Sequence, residues 1–223
     1  MAYMIDVYSG NGVIPWDKVV RSGFKLAYLK CSEGATERDP MFQSNCIQCG
    51  KYGVKYGAYH FVTAVSGDAQ WANASAFLAA SELPPAIDVE EIEGVPNSLI
   101  WTRAYALLGH LLECNRIPLI YTNRDMCATL QRLPGLAKLF ALCPLWLADY
   151  ETPATQAESV VASSSEIAPW STFFFRQYTA VANIGGVPDI DMSVTGESAF
   201  RWLQMTQGTT RAQLQADGLK VGA

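Results

Sequence analysis

The sequence predicts an α/β protein folded as an irregular eight-stranded barrel, on three observations. Short apolar runs alternate with amphipathic stretches along most of the chain, the pattern of a parallel sheet covered by helices. Eight such apolar runs can be counted, which suits a closed barrel better than an open sheet. At 223 residues, half of them hydrophobic, the chain can bury one large core as a single domain. The later runs follow loops more than helices, so the barrel is expected to be TIM-like with fewer than eight helices.

Each element has a local reason. Residues 3–7 form a strand that starts at once. Pro15 opens a short helix over 16–22 and Gly23 closes it. A second strand covers 24–30, and a helix over 40–52 ends at Gly53, a C-cap. The third strand is 54–61; the helix over 68–81 places Trp71, Ala74, Phe77 and Leu78 on one face. The fourth strand, 85–90, runs into carboxylates, and Asn97 is the expected N-cap of a long helix over 98–114. A strand at 117–121 leads to a helix at 124–133, and the sixth strand is 145–148. Residues 153–169, rich in Ser, Ala and Thr, read as a loop. Strands at 173–178 and 190–194 complete the eight, with a terminal helix over 197–205. The expected division is a catalytic barrel over 1–206 and a tail or short docked helix over 207–223.

Composition excludes several function classes. A net charge of −5 with no basic stripe argues against nucleic-acid binding and against adsorption to anionic membranes. The N-terminus lacks a basic segment followed by an apolar run, so no secretory signal is expected. No stretch reaches the ~18 apolar residues of a membrane span. The reading is a protein made in the cytoplasm that needs a release route if its substrate lies outside. The six cysteines are expected as reduced thiols, Cys46 and Cys49 falling mid-helix rather than after a strand. Two histidines are too few for hydrolytic zinc chemistry, and no metal or other cofactor is expected. There is no Gly-rich phosphate loop and no Gly-x-Ser-x-Gly elbow.

In such barrels the chemistry collects at the C-terminal ends of the strands. Those ends offer Asp6, then Ser32 and Glu33, then Tyr59 and His60. They continue with Asp88 and Glu90, Tyr121, Trp146 and Asp149, Gln177 and Tyr178, and Asp191. Lys30 is the single cation among them. Acids and aromatics suit a sugar site, with carboxylates to move protons and ring faces to stack on pyranoses. Asp88 and Glu90 stand at i and i+2, so they share a face roughly 6.5 Å apart along the strand. Two close acids cannot both ionise easily, and one is left protonated near neutral pH. The same pattern also fits two surface acids holding a cation. Glu91 should point to the opposite face. His60 reads equally as a structural hydrogen-bonding residue.

These residues resemble the glycoside hydrolase family 25 lysozymes. The resemblance runs over about residues 3–205. It begins with Ile5-Asp6-Val7-Tyr8-Ser9-Gly10-Asn11-Gly12 and continues through Trp16-Asp17-Lys18-Val19 and Lys30-Cys31-Ser32-Glu33-Gly34 with Asp39. Gly57-Ala58-Tyr59-His60-Phe61, Ile87-Asp88-Val89-Glu90, Leu119-Ile120-Tyr121-Thr122, Leu145-Trp146-Leu147-Ala148-Asp149-Tyr150 and Gln177-Tyr178 follow in order. Glu37 stands where the family has an aromatic or Leu, and Asp191-Met192-Ser193 replaces Asp-Leu-Asn.

The resemblance implies cleavage of the β-1,4 bond between N-acetylmuramic acid and N-acetylglucosamine in peptidoglycan. It implies Glu90 as general acid and Asp88 as its partner, holding the substrate's acetamido group. Asp6 and Asp191 become two further acids on the floor of the site. Tyr59 and Tyr121 become site-lining residues, and with Trp146, Asp149, Gln177, Tyr178, Glu33 and His60 from the other strand ends they are the expected substrate contacts. With no wall-binding segment in view, the expectation is a monomeric phage endolysin passed outward by a holin. A chitinase-like hydrolase and a non-catalytic glycan-binding barrel are the alternatives.

Overall fold

The computed structural model describes residues 2–150 and 165–195. The expected terminal helix over 197–205, the tail over 207–223 and most of the Ser-rich loop over 153–169 lie outside the described residues.

The first eight strands are β1 (Ala2–Val7), β2 (Leu26–Glu33), β3 (Glu37–Arg38), β4 (Lys55–Phe61), β5 (Ala86–Asp88), β6 (Leu119–Thr122), β7 (Leu145–Ala148) and β8 (Phe175–Ile184). The last is β9 (Val187–Thr195). The two-residue β3 only hangs on the edge of β2. The remaining eight close in the order β1-β2-β4-β5-β6-β7-β8-β9, with β9 back against β1. Among the described residues there are six α-helices: α1 (Trp16–Arg21), α2 (Phe42–Tyr52), α3 (Gly67–Ala79), α4 (Asn97–Glu113), α5 (Arg124–Gln131) and α6 (Pro134–Phe140).

Three details depart from expectation. The sheet is parallel from β1 to β8, but β9 is antiparallel to both its neighbours. Only Gly185 and Gly186 separate β8 from β9, both at positive φ. Two residues can only reverse the chain, because a parallel neighbour needs a crossover of about a dozen residues or more. Second, α4 begins at Asn97 itself; Pro96 occupies the cap in extended geometry, and no side chain caps the helix. Third, a helix that was not expected, α6, starts at Pro134, which fits the first helical position, where no N–H is needed.

Aromatic rings fill the barrel. Trp146 packs 5.0 Å from Tyr28, and Phe175 lies 6.4 Å from Tyr28 and 6.2 Å from Trp146. The Tyr28 hydroxyl donates to Pro84 O, and Trp146 Nε1 donates to Ser193 Oγ. Gly57 makes room for this plug, because a Cβ there would sit 2.2 Å from the Tyr28 ring. The interior is therefore a packed core with a bowl above it, not a pore. The same core continues under the helices, where buried Trp101 meets Phe140 at 4.7 Å and donates to Met126 O. All six cysteines are free, and Cys46 and Cys49 lie within α2.

Candidate active site

The bowl at the strand ends has a volume of about 370 Å³. Its acids come from three strands. On β5 the ladder continues past the assigned strand: Val62 N donates to Asp88 O, and Val89 N donates to Tyr121 O. Thr122 Oγ1 adds a bond to Val89 O. This pins Val89 outward into the core and turns Asp88 and Glu90 together into the bowl. Asp6 on β1 and Asp191 on β9 are directly paired across the antiparallel ladder. Asp191 reaches the rim because β9 descends from the hairpin, not because a strand ends there.

Burial sets the electrostatics. It pushes the Asp88 carboxyl well above the usual carboxylate range, and the Glu90 charge pushes it further. Burial likewise raises Asp6, with Asp191 adding to the effect and the Gln177 amide opposing it. Asp191 rises to about 6, by burial and then the Glu90 charge. Glu90 is raised by burial, against a hydrogen bond from the Tyr121 side chain. Lys30 lowers both Asp88 and Glu90. Its ammonium sits 2.7 Å from Glu33 Oε2 and 5.0 Å from the centre of the Phe61 ring. One atom has no protein partner: Asp88 Oδ1 is buried and accepts nothing from the described residues.

A chain of side-chain hydrogen bonds runs from Asp6 across the bowl to two tyrosines. Gln177 Nε2 lies 3.1 and 3.0 Å from the two Asp6 oxygens. Gln177 Oε1 accepts from the Tyr121 hydroxyl at 2.6 Å and from the Tyr150 hydroxyl. The bowl opens on both sides. One neighbouring hollow of about 310 Å³ shares Tyr8 and Lys30 with it. Another of about 490 Å³ shares Glu90, Tyr121 and Tyr150. Together they form a trench with the acids at its middle, a shape for a chain-like substrate rather than a small molecule.

Comparison with known proteins agrees with this architecture. Residues 5–187 match Glycosyl hydrolases family 25. The chain belongs to that family. It is 28% identical to lysozyme M1 of Streptomyces globisporus, over 92% of this chain and 71% of that one. It is 25% identical to the autolytic lysozyme of Clostridium acetobutylicum, over 84% of this chain and 54% of that one. Among solved structures it superposes on the bacterial lysozyme of Streptomyces coelicolor with a TM-score of 0.75 and 27% identity. That match covers 94% of this chain and 98% of the other.

This family 25 glycoside hydrolase brings eight of the sequence-predicted site residues to the bowl: Asp6, Tyr59, Asp88, Glu90, Tyr121, Trp146, Gln177 and Asp191. It leaves four out. His60 is fully buried behind the wall, donating from Nε2 to Gln70 Oε1 and accepting at Nδ1 from Ser32 Oγ. That tautomer follows because Gln70 Oε1 also takes the Thr63 N–H and can only accept. Burial lowers the His60 pKa to about 4. Asp149 turns outward to ion pairs with Arg124 at 3.1 Å and the buried Arg176 at 3.7 Å, at the back of the larger hollow. Tyr178 points away and reaches Met192 Sδ. Glu33 sits in the smaller hollow, paired with Lys30.

Tyr8, Lys30, Phe61 and Tyr150 line the bowl without having been chosen from the sequence. Strand alternation would have found three of them, since Tyr8 shares a face with Asp6, Phe61 with Tyr59 and Tyr150 with Trp146. Among the described residues no group of three or more His, Cys, Asp or Glu side chains is placed to hold a metal ion. No helix among them is long and apolar enough to cross a membrane.

Proposed function

We propose that this family 25 hydrolase is a muramidase that cuts the β-1,4 bond between N-acetylmuramic acid and N-acetylglucosamine in peptidoglycan. The observation that carries the reading is the pair Asp88 and Glu90, fixed on one strand end in a bowl with Asp6 and Asp191. The lysozymes among its relatives support the choice of substrate. The trench supports internal cleavage of a glycan strand, with sugars lying to either side of the acids.

In this reading Glu90 is the general acid. Burial raises its pKa above the usual carboxylate range, which favours the protonated form that can protonate the leaving oxygen as the bond breaks. Asp88 serves the substrate's own acetamido group. A buried polar atom without a partner calls for one, and the acetamido N–H fits Asp88 Oδ1. Bonded there, the acetamido oxygen is turned toward the anomeric carbon as internal nucleophile, the substrate-assisted variant of retaining hydrolysis. The sugar rings have Tyr59, Trp146 and Phe61 to lie against.

The test is reducing-end release from purified peptidoglycan, with mass analysis of the fragments and NMR of the first-formed anomer. New N-acetylmuramic acid reducing ends with retained β configuration are expected. Release of N-acetylglucosamine ends, or equal cleavage of chitin, would overturn the bond assignment. An α product would remove acetamido assistance. Glu90→Gln should lower kcat by about 10²–10⁴ with a melting temperature no lower than that of the wild type.

A further inference from the structure

The smaller hollow beside the bowl holds a cation whose side chain is set in place by its neighbours. Arg38 stands on β3, the two-residue strand at the edge of β2. Its Nε donates to Asn73 Oδ1 at 3.1 Å. The Asn73 amide has one orientation, because its Nδ2 donates to Gly34 O at 3.1 Å and to Glu37 O at 2.9 Å, and carbonyls only accept. Asn73 is itself buried, on α3. The Arg38 guanidinium also lies 5.3 Å from the centre of the Phe77 ring, which Phe42 braces edge-on at 5.4 Å. An amide and a ring therefore hold the side chain. Its two terminal nitrogens bond to nothing among the described residues, although Arg38 lines the hollow.

A guanidinium held this way fits a carboxylate, since its planar fork takes two oxygens side by side. A preset side chain also loses little freedom on binding. The other charges of the hollow leave the fork open. Lys30 is paired with Glu33 at 2.7 Å. Asp39 is committed to the backbone, its two oxygens taking the N–H groups of Ser9 at 2.7 Å and Met41 at 2.8 Å. Glu37 is the remaining acid; it is exposed, and its carboxylate has no partner among the described residues. The hollow thus presents one open cation and one open anion. The larger hollow differs, because its Arg124 is engaged by Asp149 at 3.1 Å and by Glu166 at 3.9 Å.

We propose that Arg38 makes the smaller hollow a binding site for the peptide stem of peptidoglycan, taking a stem carboxylate on its guanidinium fork. The proposal rests on the reading of the bowl as a muramidase site. The hollow shares Tyr8 and Lys30 with the bowl, so a peptide carried by a sugar near the acids has an open path into it. A stem carries carboxylates together with an amino group, and Arg38 and Glu37 offer one contact to each sign. Neither residue lines the bowl, so the site acts on substrate choice and not on the bond-breaking groups. It gives a physical reason to prefer peptide-bearing strands over bare glycan.

The experiment measures kcat and KM of the wild type, Arg38→Gln and Arg38→Lys on three purified substrates. These are glycan strands with peptide stems, the same strands with the stem carboxylates amidated, and strands stripped of peptide. On stem-bearing strands Arg38→Gln should lose about tenfold in kcat/KM, mainly through KM. The loss should shrink as salt screens this exposed pair. Arg38→Lys should recover part of it, keeping the charge without the fork. On amidated strands the wild type should fall to the level of Arg38→Gln. An equal loss on all three substrates would mean that Arg38 only staples β3 to α3, and would overturn the site. A loss as large on stripped as on stem-bearing strands, with none on amidated ones, would point to the lactyl carboxylate that stripping frees, and would overturn the stem assignment. If the wild type cuts none of the three, the muramidase reading falls by itself, and binding decides the site. Cosedimentation of Glu90→Gln, with and without Arg38→Gln, needs no turnover. The double variant should bind stem-bearing strands more weakly and amidated strands equally. Equal binding to both refutes the Arg38 site whatever the kinetics show.

Discussion

Replacing Asp191 by Asn should make the protein more stable at neutral pH while harming the site. Burial and the Glu90 charge push the Asp191 carboxyl up to about 6, against about 3.9 for an aspartate in an unfolded chain. Between those values the native state holds a proton that the unfolded chain has lost. Stability from this group is therefore complete below the unfolded value and is lost as pH rises through the native one. A shift of about two units corresponds to about 3 kcal/mol for a dry group. Asp191 is half-buried, and solvent screening cuts this to about 1–2 kcal/mol. Asn cannot ionise, so the variant should recover that amount at pH 7–8, about 2–8 °C in melting temperature for a domain of this size. At pH 4 the two proteins should melt together. Thermal melts from pH 4 to 8 at constant ionic strength test this. A variant that melts lower than wild type at pH 8, or keeps the same slope, would show that burial and the Glu90 charge do not strain this carboxyl.

Three further outcomes can be checked. Gly57→Ala drives a methyl into the Tyr28 ring, which is held by its bond to Pro84 O, and overpacking should cost about 1–3 kcal/mol in chemical denaturation. His60 has its native pKa lowered to about 4, so its stabilising effect is present above about 6.5 and lost on acidification. The stability gap between wild type and His60→Gln should accordingly narrow by about 3 kcal/mol between pH 7 and pH 4, read from urea melts. De-N-acetylated peptidoglycan should resist cleavage if the acetamido group is the nucleophile, and equal turbidity loss on both substrates would contradict that role.

Most of the fold was legible because strands buried on both faces are written as apolar runs, and those runs appear where the barrel strands lie. The direction of β9 was not read, although Gly185-Gly186 carries the signal of a reversal. The site was partly legible, for two reasons. Asp88 and Glu90 were chosen by the alternation of a strand, and both reach the bowl. Tyr59 with His60, and Gln177 with Tyr178, were chosen as neighbours, and neighbours on a strand face opposite ways. One of each pair had to turn outward, as His60 and Tyr178 do. Glu33 adds a second cause. The pairing of β2 with β4 shifts between Lys30 and Ser32, an irregularity that no alternation rule can foresee. The Gln177 chain was hidden because it joins distant strands through side chains whose partners appear only once the barrel closes.

The pairing of Asp6 with Asp191 ties chemistry to the completeness of the chain. One acid stands on the first described strand and the other on the last, across the seam where the barrel shuts. Until that seam forms, neither acid is buried against the other, and the bond from Gln177 to Asp6 has no fixed geometry. Without β9 paired to β1, the rest of the sheet does not carry a complete set of acids. Lytic capacity would then arrive in one step, with the most sequence-distant contact in the barrel, and not in proportion to the length made. Measured on truncated or circularly permuted chains, activity would serve as a direct gauge of closure.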